Sequence, residues 1–197
     1  GDDPARLDAA LDAAVAALAD AQMGVVSRAQ LAELGVTRHH VRRQLDAQRW
    51  QTIGTRVVAL MTGALDPEQQ LWVAVAHCGV SSPLATLTSL EVQGLRGWEP
   101  QKRHVLVPHS TRVPPLEGVV IHQSRAIDPG DVVIRRGLPC TSVPRSTLDA
   151  AAAMQQQFGK RLVRLEVGTV RVHLVRVEAE VLDLPRRPAQ APHGLDA

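Results

Sequence analysis

The chain is poor in cysteine: Cys78 and Cys140 are the only two in 197 residues. Two cysteines cannot build a disulfide framework, and a reducing cytoplasm is the simplest setting for them. Long apolar runs are missing too. The longest, Ala13 to Ala19, has seven residues, far short of the roughly 18 that a membrane span needs. No basic segment precedes an apolar one near the start, so no secretory leader is expected. Tyrosine is absent and phenylalanine occurs once. Trp72 and Trp98 therefore read as core or interface residues and not as platforms for stacked bases. Lysine occurs only at Lys102 and Lys160, so 20 of the 22 basic residues are arginine. That imbalance reflects GC-rich coding, and only the placement of the arginines carries functional information.

Catalytic signatures are equally scarce. Gly94-Leu-Arg-Gly97 is too short for a phosphate loop and opens no suitable helix. His77 and Cys78 are adjacent, so on a helix they project in different directions and make a poor dyad. His104, His109 and His122 can approach one another across strands, but satisfied or exposed histidines are the expectation over metal ligands. Cys140, beside Pro139, reads as a small buried apolar group. No cofactor, no metal and no enzymatic activity are expected.

What is present is an ordinary globular composition, 45% apolar with a net charge of +2. Leu7, Leu11, Val15 and Leu18 recur at helical spacing and predict a helix over residues 4–22, with Asp8, Asp12 and Asp20 on its wet side. Val25-Val26 is a short extended piece. Ser27 and Gln30 make a capping-box pattern for a second helix, which Gly35 ends. Thr37 is an N-cap for a third helix through about Gln48. Trp50–Ile53 and Arg56–Leu60 flank Gly54-Thr55 as a hairpin. That order is a winged helix-turn-helix. Asp66 and Pro67 then open a fourth helix, with Leu71 and Val75 on its buried face. A fifth helix is expected from about Pro83 to Gln93. Short β-rich runs follow at His104–Val107, Gly118–His122 and Asp131–Arg135, with a turn at Asp128-Pro129-Gly130. A helix resumes from Pro144 to Ala153. Residues 162–184 alternate apolar and polar, which argues strand, although Glu178-Ala-Glu180 and the leucines also allow helix. The expected class is α+β: a winged helix-turn-helix domain (4–62), a small mixed α/β domain (66–184) and a tail (185–197).

Charge is concentrated where a DNA reader needs it. Between Arg28 and Leu60 stand Arg28, Arg38, Arg42, Arg43, Arg49 and Arg56, against only Glu33 and Asp46. On a wheel of 100° per residue, Val41 and Leu45 face the core. His39, His40, Arg43 and Ala47 lie opposite, flanked by Arg42 and Gln44. Such a face can enter a major groove, with Arg43 donating two hydrogen bonds to a guanine edge and the histidines meeting other bases. Ser27, Arg28, Thr37 and Arg38 sit at helix starts, where backbone N–H groups point at phosphates. Arg56, at the hairpin tip, is placed for phosphate or the minor groove. A basic helix face also suits a protein-interaction module, and the stem of Arg49 has a plain alternative role lying along Trp50.

The runs Gly24-Val-Val-Ser-Arg-Ala-Gln-Leu31, Leu34-Gly-Val36, Val41-Arg-Arg-Gln-Leu45 and Arg49-Trp50 resemble the N-terminal domain of AbiEi-type antitoxins. These are the repressing partners in type IV abortive-infection toxin–antitoxin systems. His104-Val-Leu-Val-Pro108, Gly118-Val-Val-Ile-His122 and above all Thr141-Ser-Val-Pro-Arg-Ser-Thr-Leu-Asp149 resemble the α/β domain that follows. The resemblance covers about residues 5–153. It implies repression through an operator in the chain's own promoter, with double-stranded DNA as partner. The contacts then fall on Ser27, Arg28, Thr37 to Arg43 and the wing around Arg56. It also implies a nucleotidyltransferase-like toxin as a second partner, met through residues 100–153. A monomer or weak dimer, acting in the cytoplasm and away from membranes, is the expected state. Val58 departs from the pattern, standing where an aromatic is common. Some relatives carry an endonuclease domain, but no spaced Asp, Glu and Lys set able to hold a metal at a scissile phosphate is seen here.

Overall fold

Local caps start several of the helices. The computed structural model describes residues 4–97, 101–158, 164–167 and 170–173. It begins with α1 (Pro4–Ala21) and β1 (Val25–Ser27), followed by α2 (Arg28–Glu33) and α3 (Arg38–Asp46). Ser27 Oγ accepts from the Gln30 backbone N–H at 3.1 Å, while the Gln30 side chain accepts from the Ser27 N–H at 2.9 Å. Thr37 Oγ1 caps α3 by accepting from the His40 N–H at 3.1 Å. Gly35, at φ +89°, turns the chain between the two helices in a conformation that costs glycine little. The third helix was expected to reach Gln48 but stops at Asp46. Gln48 adopts φ +54°, and the N–H groups of Arg49 and Trp50 fold back onto the Gln44 carbonyl.

Strands β2 (Gln51–Ile53) and β3 (Val57–Ala59) form the hairpin, and β3 is also antiparallel to β1, giving the order β1-β3-β2. Leu11, Val15 and Leu18 of α1 pack on a core of Val26, Leu31, Val36, Val41 and Val58.

The second half opens with α4 (Pro67–Cys78), capped by Asp66 and with Pro67 in its first turn. Two apolar positions were expected to make its buried face. Instead every residue from Leu71 to Cys78 is buried. The reason is position: α4 packs on β1 and β3 on one side and on the second half's sheet on another. A helix enclosed in this way is apolar all round. One core cluster accordingly joins Val25 and Val57 of the first half to Trp72, Val75, Leu84, Val105, Leu138 and Cys140. The boundary expected near residues 62–66 thus lies beside a shared core.

Helix α5 (Thr86–Val92) starts later than the expected Pro83. Residues 83–85 are extended and act as a rung between two strand pairs. These are β4 (Arg103–Pro108) parallel to β5 (Val119–Ser124), and β6 (Val132–Arg135) antiparallel to β7 (Leu138–Thr141). Leu84 bridges Val105 on one side and Cys140 on the other. Its N–H donates to the Pro139 carbonyl and its carbonyl accepts from the Thr141 N–H, both at 2.8 Å. Strand β7 was not expected, and it accommodates Pro139, a residue that strands usually disfavour.

Helix α6 (Val143–Phe158) outruns its expected end at Ala153. Ser146, fully buried, ties it to α5 and β7 through Ser89 Oγ (3.0 Å) and Thr141 Oγ1 (2.6 Å). Strands β8 (Arg164–Val167) and β9 (Val170–His173) pair antiparallel, so this part of the alternating stretch is strand. Trp98, residues 174–184 and the expected tail at 185–197 lie outside the described residues.

Arg56 belongs to this scaffold. Its Nη1 donates to the His77 carbonyl at 3.3 Å and its Nη2 to the Arg112 carbonyl at 3.5 Å. The neighbouring turn is also covered: a Cβ on Gly54, at φ +57°, would stand 2.8 Å from Leu116 Cδ1. The hairpin tip therefore docks on the loop between β4 and β5. Arg56→Ala is expected to destabilise the fold by about 1 kcal/mol, the scale of a lost pair of partly exposed hydrogen bonds. Thermal melting checks this. The salt dependence of any DNA binding should stay unchanged, because the side chain's contacts are with its own chain.

Candidate nucleic-acid interface

Helix α3 is anchored on one side and open on the other. Val41 is buried and Leu45 is partly buried against the core of the first half. Thr37, Arg38, His39, Arg42, Arg43, Ala47 and Arg49 are exposed. Among the described residues, none of the second half covers this face. Arg38, His39 and Arg49 make no side-chain hydrogen bond or ion pair to another described residue. Arg38 and His39 sit in the first turn, which presents free backbone N–H groups and the positive end of the helix. The arrangement offers several exposed guanidinium groups around a small, exposed Ala47.

Four expected site residues are placed differently from the sequence reading. Ser27 is buried at 7% exposure, and the cap consumes both its hydroxyl and its N–H. The Arg28 N–H is likewise taken, by the Arg56 carbonyl at 2.8 Å. The start of α2 therefore has little left to offer a phosphate, although the half-buried Arg28 side chain has no partner among the described residues. His40 turns from the outward face toward Trp50, with ring centroids 5.9 Å apart. Its ring nitrogens lie 3.2 Å from Gln44 Nε2 and 3.5 Å from Arg43 Nη2, so it supports Arg43 from behind. Arg56, as described above, is tied to backbone carbonyls. Arg49, in contrast, stands exposed, and the ring beside Trp50 is that of His40.

Asp46 is the residue whose role the sequence reading overlooked. Arg42 Nε donates to both of its carboxylate oxygens, at 2.9 and 3.1 Å. The i,i+4 spacing was the available signal. This pair offsets the charge of Arg42 and leaves Arg38, Arg43 and Arg49 as the cations most available to an anionic partner.

Of the three histidines read as able to approach one another, His104 and His122 come together in the second half, while His109 is exposed. Their rings stack at 5.0 Å, and His104 Nδ1 lies 2.8 Å from His122 Nε2. Among the described residues, no group of three or more His, Cys, Asp or Glu side chains is placed to hold a metal ion. Burial, and then the charges of His122 and Lys102, push the His104 pKa down from 6.5 to about 4. Burial lowers His122 as well, with Asp149 opposing. Between about 4 and 6.5 an unfolded chain binds a proton that the folded chain refuses. Stability is therefore expected to fall as pH drops through that window and to level off, for this group, below it. Melting temperatures from pH 7 to pH 4 check this, and His104→Gln should flatten the slope.

Burial raises both cysteine thiols, Cys78 and Cys140, to about 11, which makes them poor nucleophiles. No helix among the described residues is long and apolar enough to cross a membrane. No family model matches the chain, and neither does any curated protein.

Proposed function

We propose that this chain is a sequence-specific, double-stranded-DNA-binding repressor built on a winged helix-turn-helix. Its second half would resemble the antitoxin domain of an AbiEi-type regulator, and the setting would be the cytoplasm. One observation carries the reading: the arginine-bearing face of α3 is exposed while Val41 and Leu45 hold the helix to the core. In this reading α3 enters a major groove. Arg43, backed by His40, reads a guanine edge; Arg38, Thr37 and the first N–H groups of α3 hold phosphates. The docked hairpin supports the helix and is not itself a minor-groove reader. Binding at a promoter blocks polymerase, and no catalytic step is involved.

A shift assay on the chain's own upstream region, at about 50 mM salt, tests this. A saturable complex that resists unrelated competitor DNA is expected, and absence of any complex overturns the reading. A second reading rests on exposed apolar residues of the second half, Ile134 (61% exposed) and Leu148 (64%). They suit a protein partner such as a nucleotidyltransferase-like toxin. Co-expression rescue that survives Arg42→Ala/Arg43→Ala would favour it.

A further inference from the structure

A cleft of about 220 Å³ lies among the start of α5, the end of β5 and one face of α6. Leu106 and Ala152 give it an apolar wall, while Thr86, His122, Arg145 and Asp149 line it with polar groups. Most of the donors there are already spoken for. Arg145 donates from Nε to Asp149 Oδ2 at 2.9 Å, from Nη1 to Asp131 Oδ2 at 3.2 Å and from Nη2 to Ser124 Oγ at 3.5 Å. One guanidinium thus answers two carboxylates, and the trio carries net negative charge. His122 adds no positive charge at neutral pH, since burial holds it in the neutral form.

Two acceptors remain open. Asp149 Oδ1 has no hydrogen bond to a described residue. Thr86 Oγ1 is the more telling case: the residue is only 3% exposed, lines the cleft, and its hydroxyl has no partner among the described residues. A buried hydroxyl left unpaired is costly, and a ligand that engages it would recover that cost.

We propose that this cleft binds a small aliphatic ammonium ion, which donates to Asp149 Oδ1 and Thr86 Oγ1 and rests its carbon chain on Leu106 and Ala152. An anionic ligand is excluded by the excess carboxylate. The site is independent of the α3 face and of any DNA binding.

Thermal melting and calorimetric titration of the full chain at pH 7 test the proposal with n-propylammonium, propan-1-ol and propionate at matched ionic strength. The expected result is a saturable rise in melting temperature with n-propylammonium alone. Thr86→Ser should keep that response, and Thr86→Val should weaken binding at least tenfold. If the valine variant does not fold, Asp149→Asn carries the same test. No saturable response to n-propylammonium, an equal response to propan-1-ol or propionate, or unchanged binding by Thr86→Val (or by Asp149→Asn where it replaces that variant) overturns the proposal.

Discussion

Replacing Arg38 and Arg43 together by alanine is expected to lower affinity for the operator about a hundredfold or more. The melting temperature should barely change. The magnitude follows from two different losses. A bidentate arginine–guanine pair is worth about 1–3 kcal/mol of discrimination. A lost phosphate contact weakens binding to all sequences alike and reduces the salt slope by about one unit. The single variants separate these losses: Arg43→Ala should relax sequence preference, and Arg38→Ala should weaken specific and unrelated DNA equally. Stability is spared because both side chains are exposed and neither holds a core contact. Arg42→Ala should cost less than either, since Asp46 already offsets its charge. Filter or anisotropy binding across a salt series checks all three.

The second large effect is on stability. Leu84→Ala is expected to destabilise the protein by about 2–5 kcal/mol, the range for truncating a fully buried leucine. Leu84 is completely buried and belongs to the core cluster that joins the two halves. It also occupies the rung between β4 and β7, so a cavity there loosens both strand pairs. Because α4 packs between this sheet and the sheet of the first half, chemical denaturation of the variant should show one earlier transition, not two. Loss of the second half with the first half intact would contradict a shared core.

The starts of α2, α3 and α4 could be read from the sequence because a cap is a local event. Ser27 with Gln30, Thr37, and Asp66 with Pro67 each carry their signal within four residues. The outward placement of Arg38, His39 and Arg43 was readable for a similar reason, as periodicity around Val41 and Leu45 decides it. Long-range geometry was hidden. Nothing near Leu84 announces that two strands well separated in the chain, meeting it at Val105 and Cys140, will flank it. Proline is disfavoured within a strand, yet the carbonyl of Pro139 and not its missing N–H is what the rung uses. Within the candidate site the same division holds. Arg56 looked free at a hairpin tip because its acceptors, the carbonyls of His77 and Arg112, lie 21 and 56 residues away. His40 looked outward on an ideal wheel, but the aromatic ring of Trp50 draws it to the flank. Asp46 was within reach of sequence reasoning, since its pairing with Arg42 is a plain i,i+4 contact.

Amide NMR of the full chain, titrated with a duplex from its own promoter, asks directly where DNA lands. Shifts should concentrate on residues 37–43 and 47–49, with the turn at Gly54 to Arg56 quiet. Perturbations confined to the second half, or spread evenly over the surface, would show that the exposed face of α3 is not the reading surface.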